Sequence, residues 1–194
     1  NIIIDNNIIY ISDNIGYLYA LNYKTKKLVW AKNYKVPFRS SLTILRNKII
    51  LADTNNTLYF INKLNGEKLK VIPTEENLFK SDFFNSFAWD KESLFYLNTY
   101  GSLYSISNNG QINWFLNLNQ SAETNATNLF YSNPVLISKG RVVVSTDPNL
   151  YILNSTNGST INKISITSII KPIISKQNLF LITKDNLLVS MDMI

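Results

Sequence analysis

Leu18-Tyr19-Ala20-Leu21-Asn22-Tyr23-Lys24-Thr25-Lys26-Lys27-Leu28-Val29-Trp30 is one copy of a pattern that this chain repeats. Its opening Leu-Tyr returns at Leu58-Tyr59, Leu103-Tyr104 and Leu150-Tyr151, and Leu188-Val189 holds the matching place in a fifth copy. Two residues on come Leu21, Ile61, Ile106, Leu153 and Met191, followed by Asn22, Asn62, Ser107, Asn154 and Asp192. Extended towards the N-terminus, the match lays Ile2–Asn22, Leu42–Asn62, Phe87–Ser107, Pro134–Asn154 and Pro172–Asp192 over one another without a gap. Successive copies start roughly 40 residues apart, the length of one four-stranded propeller blade.

The fourth copy shows the local grammar. Pro134-Val-Leu-Ile-Ser138 is short and apolar, and Lys139-Gly140 is a turn signal. The β-branched run Arg141–Thr146 reads as a buried strand, Asp147-Pro148-Asn149 as a turn, and Leu150–Asn154 as a third strand. Asn157-Gly158 predicts a hairpin, because both residues tolerate positive φ, and Ile161–Ile166 reads as an outer fourth strand. Such a small sheet packs a neighbour on each face, which accounts for strands that are nearly continuous in apolar residues. Helical periodicity is absent, so the expectation is an all-β propeller of about four to five blades.

Composition removes several chemistries. The chain has 194 residues and contains neither cysteine nor histidine. That excludes disulfides, thiolate nucleophiles, Cys-based metal sites and the commonest general base. The net charge is +6, yet its densest run is Lys24–Lys27 in a predicted turn and the other lysines are scattered. A phosphate backbone needs a concentrated patch, so nucleic acid is not an expected partner. No apolar run approaches the length of a membrane span. Asn and Ile supply roughly a quarter of the residues, far above common usage, and spread over strands and turns alike.

The run from Leu18 to Trp30 closely resembles the repeat of the pyrroloquinoline-quinone (PQQ)-like propeller family, L-Y-A-L-D-x-x-T-G-x-x-x-W. The resemblance implies that Trp30 and Trp114 pack across blades as a tryptophan-docking girdle. Leu18, Leu58, Leu103, Leu150 and Leu188, with Tyr19, Tyr59, Tyr104 and Tyr151, are expected in blade packing for the same reason of repetition. Val71 or Ile72 and Ile164 fall in the tryptophan region of the second and fourth copies, and Lys26 replaces the turn glycine of the first. Rings of this family hold seven or eight blades. The resemblance thus implies that residues 1–194 are one segment of a larger ring, with repeats at about 1–35, 36–77, 78–121, 122–168 and 169–194, the last incomplete.

The copies are plain and most similar in style to the BamB-type outer-membrane assembly lipoproteins. That likeness implies a non-enzymatic, cofactor-free scaffold in the periplasm, anchored through a part of the protein outside this segment, with β-barrel assembly subunits as protein partners. A second reading is a PQQ-dependent dehydrogenase, which would hold Ca²⁺ with Glu, Asn and Asp oxygens. Asp82, Asp90, Asp147 and Asp185 are the loose carboxylates, but Asp147 and Asp185 align as turn residues, and Asp53 aligns with Asp13 and Asn98. A third is an extracellular or luminal adhesion or sensor propeller, with glycosylation sequons at Asn55, Asn119, Asn125, Asn154 and Asn157. No catalytic, cofactor or metal residue is assigned. One stretch breaks the repeat: Leu78–Trp89 holds five aromatics, of which Phe83 and Phe84 fall between two copies and are the candidate partner contact.

Overall fold

The computed structural model describes residues 1–76, 84–119 and 130–193. They form two compact units, Asn1–Asn85 and Ser86–Ile194. The architecture is the expected all-β one, built of antiparallel propeller blades in which sequence neighbours pair in order.

The first unit holds two blades. One comprises β1 (Ile2–Asp5), β2 (Ile8–Ser12), β3 (Tyr17–Asn22) and β4 (Lys27–Asn33). The other comprises β5 (Thr43–Leu45), β6 (Lys48–Ala52), β7 (Leu58–Asn62) and β8 (Lys68–Ile72). The second unit holds β9 (Ser86–Trp89), β10 (Ser93–Leu97), β11 (Ser102–Ser107) and β12 (Ile112–Asn117) as a third blade. Its fourth blade is β13 (Leu136–Ser138), β14 (Arg141–Ser145), β15 (Leu150–Asn154) and β16 (Thr160–Ile164). A fifth has three strands, β17 (Ile173–Ser175), β18 (Asn178–Ile182) and β19 (Leu188–Asp192).

The fourth blade shows why a propeller strand does not alternate apolar and polar. Val142 and Val144 point into a cluster with Phe95, Leu97 and Leu103 of the third blade. Val143, between them, points the other way, towards Leu179 and Leu181 of the fifth. Period-2 side-chain geometry with both faces covered yields a continuous apolar run. In the first unit Tyr10, Leu18 and Ala20 pack likewise on Ile49, Leu51 and Ile61 of the second blade.

Register corrects the ungapped alignment in one place. Ser12↔Leu18, Ala52↔Leu58, Leu97↔Leu103 and Ile182↔Leu188 close the turns of four blades. The fourth blade pairs Ser145↔Leu150, so its turn is one residue shorter. Thr146 is therefore the counterpart of Asp53 and Thr183, and Asp147 and Asp185 are not equivalent. Instead Asp147 Oδ2 lies 2.6 Å from Lys184 Nζ, an ion pair from the fourth blade to the fifth. Asp5 and Lys63 make a similar pair between the first and second blades, also at 2.6 Å.

Asparagine has a positional meaning here. The Oδ1 of Asn22 accepts hydrogen bonds from the N–H groups of Lys24 and Thr25, both at 3.0 Å. Asn62 receives Leu64 N at 2.9 Å and Asn154 receives Thr156 N at 2.8 Å. Each side chain imitates a backbone turn where the third strand ends. Lys26 fits this turn with φ 57°, close to the 71° and 73° of its counterparts Gly66 and Gly158. The substitution that made this turn look irregular in the sequence is absorbed as local strain of about 1 kcal/mol.

Candidate functional site

Phe84 follows a stretch that includes Phe83, which lies outside the described residues. Its ring is 64% exposed. The next residue, Asn85, is buried and clamped: its N–H donates to Arg39 O at 3.0 Å and its Nδ2 to Asp53 O at 3.1 Å. A parallel bridge joins it to Ser40. Phe84 is thus an exposed aromatic next to a residue held by backbone and side-chain hydrogen bonds. Phe87 lies in β9 and stacks on Tyr96, with ring centroids 5.3 Å apart.

The tryptophans meet the turn glycines of the following blade. Trp30 donates its Nε1–H to Lys63 O at 3.1 Å, and Trp114 donates its own to Ser155 O at 3.0 Å. A Cβ on Gly66 would stand 2.7 Å from Trp30 Cε3, and one on Gly158 would stand 2.6 Å from Trp114 Cε3. So these glycines serve two ends, a positive φ and a seat for an indole. Register also moves the matching positions in the other blades. Ala20↔Trp30 and Ser105↔Trp114 correspond to Phe60↔Lys70 and Ile152↔Asn162, so Lys70 and Asn162, not Val71, Ile72 or Ile164, stand where the tryptophan would. A small residue faces the indole, and a large one faces its replacement.

Leu18, Leu58, Leu103 and Leu150 are fully buried, and Tyr59, Tyr104 and Tyr151 nearly so. Tyr19 is half-buried. Leu188, expected in blade packing, is instead 74% exposed. Leu18, Leu103 and Leu150 each pack against the following blade, and none follows the fifth among the described residues.

The repeat position shared by Asp13, Asp53 and Asn98 is a turn. Asp53 Oδ1 accepts from Asn55 N and Thr57 N at 2.8 and 2.9 Å, and its Oδ2 accepts from Tyr59 Oη at 2.9 Å. Asp13 receives Ile15 N, Tyr17 N and the Tyr19 hydroxyl in the same way. Asn98 Oδ1 accepts from Tyr100 N and Ser102 N. Calcium for a quinone cofactor needs several converging oxygens. Among the described residues no three His, Cys, Asp or Glu side chains converge to hold a metal, and Asp13 and Asp53 are committed to their turns. These residues do not fit that group.

Burial, helped by the charge of Asp5, pushes the Tyr10 hydroxyl up to about 12. Burial drives Tyr34 and Tyr59 higher still, with Asp53 adding to Tyr59. The folded state therefore keeps protons that the unfolded chain loses near pH 10. Stability from these hydroxyls is fully present below about pH 10 and falls as pH rises towards about 12. Denaturant midpoints measured across that range should drop steeply, and less steeply in Tyr10→Phe and Tyr59→Phe.

The sequence profile of the family described as outer membrane protein assembly factor BamB matches residues 2–193. Among solved structures, BamB from Moraxella catarrhalis superposes with a TM-score of 0.75 at 13% identity, over 100% of this chain and 60% of that one. The computationally designed Ika8 protein gives 0.73 at 12% identity, over 98% of this chain and 57% of its own. The designed Ika4 protein gives 0.60 at 12% identity, over 83% and 94%. The chain thus spans about three-fifths of the BamB structure it matches. No curated protein matches the sequence significantly. With its profile match almost end to end, the chain belongs to the family of the outer membrane protein assembly factor BamB.

Proposed function

We propose that the chain is a non-enzymatic scaffold for protein–protein recognition, with a BamB-like role in outer-membrane protein assembly at the periplasmic face. The observation that carries this reading is the family match over residues 2–193. It is supported by plain blades whose recurrent polar residues are engaged in turns rather than directed into a reaction centre. No helix among the described residues is long and apolar enough to cross a membrane. Phe84, exposed beside the clamped Asn85, is the contact residue of this proposal, with Phe83 beside it in sequence.

The test is a binding titration against the periplasmic part of the barrel-inserting assembly subunit. Phe84→Ser should weaken binding roughly tenfold, as expected for a desolvated aromatic anchor, with the melting temperature unchanged. A lowered melting temperature with intact binding would assign the ring to packing and remove it from the interface.

A further inference from the structure

The third blade differs from the others along one row of paired residues. Phe87 faces Tyr96, Tyr96 faces Tyr104, and Tyr104 faces Phe115, so one aromatic stands on each of β9, β10, β11 and β12. Their ring centroids are 5.3, 6.1 and 5.8 Å apart, with interplanar angles of 27°, 24° and 22°. Tyr96 and Tyr104 are buried, whereas Phe115, at the outer edge, is 62% exposed. Directly paired aromatics are among the stronger cross-strand contacts. The row ends in a ring with an empty place beside it among the described residues.

The outer strands of the other blades do not continue such a row. At the position of Phe115 the first, second and fourth blades carry Ala31, Val71 and Lys163. Lys163 puts its ammonium 5.4 Å above the Tyr151 ring. Lysine also guards the edges as a whole: Lys27 and Lys32 in β4, Lys68 and Lys70 in β8, Lys163 in β16. Charged side chains on an edge strand discourage the addition of another strand. Ile112–Asn117 contains no charged residue, and Ile112 and Phe115 are both exposed. A bulge interrupts β12 near Asn113, and Trp114–Asn117 is regular beyond it.

We propose that the outer edge of β12 is a docking strand for an extended, uncharged segment of another protein that presents an aromatic side chain opposite Phe115. Backbone hydrogen bonds along Trp114–Asn117 supply the affinity, and continuation of the aromatic row supplies the register. A second copy of the chain is a poorer occupant, because two chains that each carry a net charge of +6 repel one another. This inference is independent of the outer-membrane role, since it rests on β12 and not on Phe84.

The probe is an acetylated, amidated peptide of alternating threonine and valine with one central phenylalanine. Hydrogen exchange of the full chain should show protection of the Trp114–Asn117 amides on adding it, with β4, β8 and β16 unchanged. Phe115→Lys, or phenylalanine replaced by threonine in the peptide, should weaken binding roughly fivefold or more while the chain melts as before. Equal protection of all four outer strands, or none at β12, would overturn the proposal. So would sedimentation showing that the chain pairs with itself through β12 in a Phe115-dependent way.

Discussion

Trp30→Ala lowers the stability of the Asn1–Asn85 unit by about 3–5 kcal/mol, the range for removing a large buried aromatic. The indole is 8% exposed, packs with Tyr10 and Leu18, and its Nε1–H is satisfied by Lys63 O. Ala20, opposite it on β3, cannot fill the space. Gly66→Ala in the partner turn costs on the order of 3 kcal/mol, because φ is positive and the new Cβ would press on the ring. The two changes are not additive. Once the indole is gone, the overlap is gone, and Gly66→Ala costs only about 1 kcal/mol for its backbone. A double-mutant cycle by denaturant unfolding should return a coupling of about 1–3 kcal/mol. Additivity would show that Trp30 does not rest on Gly66. Trp114 and Gly158 repeat the arrangement in the other unit.

Asp53→Ala is the second large effect, about 2–4 kcal/mol. The side chain is 1% exposed and accepts two backbone N–H groups and the Tyr59 hydroxyl. Alanine leaves three donors without their acceptor in a closed turn. Asp53→Asn is mild, under about 1 kcal/mol, because one oxygen suffices for the turn, as Asn98 shows in the third blade. Chemical denaturation of both variants separates a turn role from a charge role. If the asparagine variant were as damaged as the alanine one, the carboxylate's charge would be the essential feature.

Much of this was legible in the sequence because propeller architecture is periodic. A leucine buried in each of the first four blades leaves the same letter at Leu18, Leu58, Leu103 and Leu150. The docking of Trp30 and Trp114 was implied by the family resemblance, but the glycine seat was not. Glycine at 66 and 158 reads as a hairpin signal, and only the close approach of the indole reveals its second duty. The places of Lys70 and Asn162 lie as far beyond Leu58 and Leu150 as Trp30 lies beyond Leu18, but neither carries the apolar side chain expected at a tryptophan's place. A shortened turn hid Thr146, since Leu150 still aligned. Asparagine reads in the sequence only as abundant, although Asn22, Asn62 and Asn154 each cap the end of a third strand. The aromatic row of the third blade is spread over β9 to β12, and its members become neighbours only through strand pairing.

The most direct test of the scaffold account is site-specific photo-crosslinking from position 84 in cells producing the protein, read by mass spectrometry of the envelope fraction. The account predicts a crosslink to a subunit of the β-barrel assembly machinery, absent when the photoreactive residue is moved to an exposed position on the Leu64 turn. Recovery of a redox partner such as a cytochrome, with no assembly subunit, would contradict it and favour the dehydrogenase reading.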